Sequence, residues 1–137
     1  MVDEGRLSRL LRDIADRTDR LRAAAASSPG ERGELWLDGI KYLFVTTIEA
    51  CIDTAQHIAS SEQFRPPDSN ADALRVLGER GVIDPALASE LAHAAGFRNV
   101  LVHQYTRVDD AIVLDALLRL DAFDRFVAGV STWLTAN

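Results

Sequence analysis

The sequence predicts an all-α protein: an up-and-down four-helix-type bundle with one additional short helix. Three observations predict it. Apolar residues recur at three- and four-residue intervals over long stretches, no segment alternates with the period of two expected of a half-buried strand, and four breaks, three of them marked by Pro or Gly, divide the chain into five helical segments.

Segment one spans about 4–26. Leu7, Leu10 or Leu11, Ile14, Thr18 and Leu21 form its stripe. Arg6, Arg9, Arg12, Arg17, Arg20 and Arg22 interleave with aspartates, which reads as a solvated, ion-paired face. Ser27-Ser28-Pro29-Gly30 ends it.

Segment two, about 33–61, places Leu37, Ile40, Phe44, Ile48, Cys51, Ala55 and Ile58 at steps of 3, 4, 4, 3, 4 and 3. Phe64-Arg65-Pro66-Pro67-Asp68 then forces an extended loop. Segment three is the short one, about 70–80, stopped by Gly81. Asp84 as N-cap and Pro85 at the first helical position open segment four, about 85–105. Segment five, about 109–136, carries Ala116, Leu120, Phe123, Val127, Val130 and Leu134 at steps of 4, 3, 4, 3 and 4, with Asp109-Asp110 as its N-cap region. Long stripes on segments two and five leave apolar surface to spare, which predicts a homodimer.

Composition bounds the rest. The chain has 137 residues, 47% hydrophobic and 26% charged, which fits a single domain over residues 1–137. The net charge of −6 and a pI near 5.0 exclude a protein coated in positive charge, although a small basic cleft fits an acidic body. Cys51 is the single cysteine, so there is no intrachain disulfide and no Cys-rich zinc site; it reads as a small core residue. The start is charged (Asp3, Glu4, Arg6), with no apolar leader, and no apolar run approaches the ~18 residues of a membrane helix. A soluble, cytoplasmic protein is expected.

Residues 97–105, FRNVLVHQY, do not fit a plain packing helix. On an ideal wheel, Leu87, Leu91, Ala94 and Leu101 define the core stripe of segment four, and Arg98 and Tyr105 fall within about 20° of its centre. A guanidinium there needs a polar or charged partner. Tyr105 fits with its ring packed and its hydroxyl at a wet edge. His103 lies about 140° from Arg98, one turn beyond Asn99, on an edge of small residues (Ala88, Ala92, Ala95, Gly96) that lets another helix approach closely. Arg98 and His103 therefore share a space only at a cleft across the helix end or beside a second chain.

The residue types suit RNA cleavage without a metal. Histidine, with an unperturbed pKa of ~6.5, moves protons near neutrality. Arginine binds phosphate bidentately and stabilises added charge on phosphorus. Asn99 would orient His103 or donate to a phosphate oxygen. With one histidine per chain in the motif, a second acid or base would come from a symmetry-related copy.

The segment RNVLVHQY resembles the R-x4-H-x-Y signature of the HepT-like toxins, within the wider HEPN group of helical ribonucleases. IEACIDTAQHI (48–58), the loop with Pro66, LGERGVIDPALASEL (77–91), GFRNVLVHQY (96–105) and VDDAIV (108–113) follow that family in order, over roughly 35–135. The resemblance implies a single HEPN/HepT-like helical domain, dimeric, with two motif copies lining one cleft. It further implies a metal-independent endoribonuclease toxin that needs no cofactor, with Arg98 and His103 catalytic and Asn99 supporting RNA binding. The implied partner is an MntA-like nucleotidyltransferase antitoxin that attaches AMP to Tyr105, whose added bulk and negative charge would block RNA.

Other residues carry weaker signals. Glu49, Asp53 and His57 recur every fourth residue on segment two and would make a metal face, although a structural or solvated face is the ordinary reading; alternatively, Asp53 or Glu49 meets Arg98 from a neighbouring helix. His93 reads as a surface or interface residue, and Trp36 and Trp133 as core or dimer packing. Two further functions stay open beside the nuclease: a non-catalytic helical adaptor that binds a nucleotide or a nucleotidyltransferase, and a plain dimeric bundle.

Overall fold

Asp3 accepts the Arg6 backbone N–H at 3.0 Å and so starts α1 (Glu4–Ala26). A computed structural model describes all 137 residues. Leu7, Ile14, Thr18 and Leu21 are fully buried along α1, and the Thr18 hydroxyl is satisfied by donating to the Ile14 carbonyl at 2.7 Å. The arginines interleaved with this stripe find carboxylates: Arg17 pairs with Asp13, and Arg22 with Asp19 and with Asp121 and Asp124 of the last helix.

After a 3-10 turn (Pro29–Glu31), a turn at Glu34 and Leu35 leads into α2 (Trp36–Ser61), three residues later than its predicted start. Helix α2 is the centre of the molecule, with α1, α3 and α4 packed on it. Its predicted stripe from Ile40 to Ile58 is buried, Cys51 included. Burial pushes the Cys51 thiol up, holding it protonated. Helix α2 ends on Gln63 at φ 56, with the Phe64 N–H returned to the Ala59 carbonyl at 2.9 Å.

Arg65 then clamps the loop onto α3 (Asn70–Glu79), donating to Asp72 and Glu79 at 2.7–2.9 Å. Ser69 caps α3 at its start, and Gly81 at φ 74 ends it in the left-handed region. Asp84 and Pro85 begin α4 (Pro85–His103) as predicted, the Asp84 carboxylate accepting the Ala86 N–H at 3.2 Å. A Cβ on Gly78 would lie 2.6 Å from the Ala88 Cβ. The small-residue edge of α4 is thus occupied within the chain: α3 covers Ala88, Ala92 and Ala95 are also buried, and Gly96, Asn99 and His103 stay exposed.

Two boundaries differ from the prediction. Helix α4 stops at His103, and Tyr105 opens a 3-10 turn (Tyr105–Arg107), so Tyr105 is not on the core stripe of α4. Segment five divides into α5 (Asp110–Ala116), a 3-10 turn (Leu117–Arg119) and α6 (Asp121–Ala136). Asp121 and Asp124 sit in the first turn of α6, where acids stabilise a helix start, and Arg22 holds both from α1. The predicted stripe survives the break: Leu120, Phe123 and Val130 are buried, joined by Val113 and by the fully buried Phe126. The architecture is all-α, with four long helices, the expected short α3 and a second short helix, α5. No helix is long and apolar enough to cross a membrane.

Candidate functional site

The site grows from the last turns of α4. Phe97 packs edge-on against Phe44 of α2, ring centroids 5.7 Å apart, which fixes the rotation of α4 just before the motif. Arg98 follows, with its side chain 21% exposed. Its Nε and Nη2 both donate to Oε1 of Glu49 on α2, at 3.1 and 2.7 Å. Its Nη1 donates to the Asn99 side-chain oxygen at 3.0 Å. Glu49 therefore meets the buried-charge requirement of Arg98; Asp53 is exposed and takes no part. Three of the five guanidinium N–H donors are spent, which leaves two unpaired within the chain.

Asn99 holds Arg98 and not His103. Its side-chain oxygen is engaged, and its amide N–H groups, on an exposed residue, make no hydrogen bond within the chain. His103, the last residue of α4, is exposed. It lies five positions beyond Arg98, a rise of about 7.5 Å and the same turn of about 140°.

Tyr105 is 41% exposed and reaches back to α2. Its hydroxyl donates to Asp38 Oδ1 at 2.9 Å, and its ring covers the Lys41 ammonium, 4.9 Å from the centroid. Lys41 is 7% exposed and pairs with Asp110 of α5 at 3.3 Å. Burial first, and the Asp38 carboxylate second, raise the Tyr105 phenol above its ordinary value. Sequence reasoning missed Asp38 and Lys41. Their spacing of three on one helix face was visible, but nothing in the sequence linked that face to a residue 67 positions away.

Glu49, Asp53 and His57 do not converge. Glu49 faces α4, while His57 Nε2 accepts the Asp3 backbone N–H at 3.0 Å beside the start of α1. No three His, Cys, Asp or Glu side chains are grouped to hold a metal ion. His93 is exposed, its Nδ1 on the Ser89 carbonyl at 2.8 Å. Trp36 and Trp133 are partly buried against the core, with Arg32 stacked 4.2 Å over Trp36. Asp109 caps α5 through the Ala111 N–H at 2.9 Å. An apolar groove of about 460 Å³, lined by Phe44, Ile48, Phe97, Ile112 and Phe123 among others, contains none of Arg98, His103 or Tyr105.

The structure is thus an all-α bundle that presents Arg98, Asn99 and His103 at one helix end, with Tyr105 just beyond. A model of the ribonuclease HepT-like family matches residues 9–130, and the chain belongs to that family. It is 34% identical over 80 residues to an mRNA nuclease HepT of Shewanella oneidensis, covering 58% of this chain and 60% of that one. It is 31% identical over 87 residues to a tRNA nuclease HepT of Aphanizomenon flos-aquae, covering 63% and 59%. The chain thus spans about 60% of the length of these curated relatives. Among solved structures, a tri-AMPylated HEPN toxin of Shewanella oneidensis in complex with MNT antitoxin superposes with a TM-score of 0.84 at 25% identity, over 96% of this chain and 99% of that one.

Proposed function

We propose that this chain is a metal-independent endoribonuclease toxin of a toxin–antitoxin pair. It would cut RNA at a dimer-interface R-x4-H-x-Y site and be neutralised by AMPylation of Tyr105 by an MNT-type nucleotidyltransferase antitoxin. The observation that carries the reading is the aimed Arg98: Glu49 and Asn99 hold it at the surface with two donors spare, one and a half turns before an exposed histidine. The relatives' names support RNA as substrate, and the AMPylated neighbour supports the modification.

In this mechanism His103 removes a proton from the ribose 2′-hydroxyl or returns one to the leaving oxygen. Arg98 binds the phosphate through its spare N–H groups and offsets the charge that develops on its oxygens. Asn99 adds an amide donor. Since one chain leaves the Arg98 and His103 faces about 140° apart, a second copy completes the cleft. Val100, Val102, Ile112, Leu114 and Leu118 are all exposed apolar side chains between residues 100 and 118, a concentration that suits burial against a partner copy.

The test is RNA cleavage by purified protein in excess EDTA. Wild type should cut, and Arg98→Ala and His103→Ala should each lose most activity. Intact RNA with wild type, or equal cleavage by His103→Ala, would sink the nuclease reading.

A further inference from the structure

Asp38 lies in the first turn of α2, far in sequence from the motif, yet it receives the Tyr105 hydroxyl at 2.9 Å. The tyrosine is held at two points, its oxygen by Asp38 and its ring over the buried Lys41. Both Asp38 and Tyr105 remain exposed, so a reagent can approach the phenolic oxygen from solvent.

We infer that Asp38 is the proton acceptor for nucleotidyl transfer onto Tyr105, so that this chain supplies the base for its own modification. The inference rests on the reading of Tyr105 as the adenylylated residue.

A neutral phenol is a weak nucleophile at neutral pH, and its environment here holds it protonated more firmly than a free tyrosine. Reaction through rare tyrosinate would be slow. A carboxylate already bonded to the hydroxyl fixes the direction of the oxygen lone pairs and takes the proton as the new bond forms. Tyr105 Oη attacks the α-phosphorus of a nucleoside triphosphate delivered by the nucleotidyltransferase, and the Oη–P bond forms. The bond from that phosphorus to the bridging oxygen breaks, pyrophosphate leaves with the electron pair, and the phenolic proton passes to Asp38 Oδ1 and on to water.

The charged groups around the ring are Asp38 and Lys41 from α2 and Asp110 from α5. After transfer the tyrosine has no proton left to donate. The Tyr105–Asp38 hydrogen bond is lost, and the carboxylate faces a phosphodiester of the same sign.

The experiment incubates the full chain with an MNT-type nucleotidyltransferase and Mg-ATP and follows intact mass between about pH 6.5 and 9. Wild type, Asp38→Asn, Asp38→Glu and Tyr105→Phe are compared. Asn keeps an oxygen acceptor for the hydroxyl but is a far poorer base. Asp38→Asn should slow AMP addition by about 100-fold near neutrality, and its rate should climb roughly tenfold per pH unit because only tyrosinate now reacts. Wild type should vary little, and Asp38→Glu should restore a pH-insensitive reaction at lower rate. Equal rates for wild type and Asp38→Asn, or a drop by one constant factor at every pH, would overturn the role of Asp38. No AMP-sized addition on wild type, or addition that persists in Tyr105→Phe, overturns the reading of Tyr105 itself and the inference with it.

Discussion

Glu49 accepts two hydrogen bonds from Arg98 through one oxygen, at 3.1 and 2.7 Å, joining the middle of α2 to the end of α4. The Glu49 side chain is 40% exposed, so the pair contributes under about 1 kcal/mol to folding and acts chiefly on the aim of the guanidinium. Glu49→Gln should therefore melt close to wild type while cleaving RNA about tenfold more slowly, since Arg98 loses its orienting charge. Initial cleavage rates beside thermal melts check this; an unchanged rate would show that Arg98 is aimed without Glu49.

Gly78 sets a close approach of α3 to α4 at Ala88 and Pro85. Alanine normally helps a helix interior by ~1 kcal/mol relative to glycine. Here the added methyl meets the Ala88 Cβ at 2.6 Å and the Pro85 backbone at 3.3 Å, and neither can swing aside. Gly78→Ala should destabilise the protein by about 1–3 kcal/mol, read as a lower urea midpoint.

Gln63 adopts φ 56 to end α2, a conformation that a side chain resists. Gln63→Gly removes that strain and keeps the Phe64 N–H to Ala59 bond. A gain of up to about 1 kcal/mol in urea unfolding is expected, against the usual direction for an added glycine.

Arg65 sets a pH dependence. Its hydrogen bonds, followed by one from the Asp68 backbone N–H, hold the Asp72 carboxyl down to about 2, and Arg65 also holds Glu79 below its ordinary value. A carboxyl depressed by folding contributes its stability in full above its unfolded value, near ~4, and loses it as pH falls toward about 2. Wild type should lose stability more steeply than Arg65→Gln across that window, and the two should run parallel from pH ~5 to ~7. Melting temperature against pH measures it.

The fold was legible wherever one helix buries one stripe. The steps from Ile40 to Ile58 predicted the buried face of α2, and Asp84-Pro85 marked the start of α4 to the residue. The break between α5 and α6 was not legible, because the apolar spacing runs through it unbroken; Asp121 and Asp124 mark a helix start only beside Arg22 of another helix. The small-residue edge of α4 predicted a close neighbour but not which one, and α3 fills that place at Ala88. At the site, Arg98 announced its need for a partner by interrupting an apolar stripe, and the sequence offered Glu49 and Asp53 equally; the structure pairs Arg98 with Glu49 and leaves Asp53, one turn further along α2, exposed. Tyr105 was misplaced because an ideal helix was continued two residues past the true end of α4, which hid its contacts with Asp38 and Lys41.

The burial of Cys51 has a practical consequence. With its one thiol 2% exposed and held protonated, the native surface offers maleimide or methanethiosulfonate reagents nothing to attack. A cysteine introduced at Leu35, which is exposed and lies outside the apolar patch between residues 100 and 118, would be the single labelling site of each chain. Spin labels placed there would report the spacing between two copies directly, without first replacing a native residue of the core.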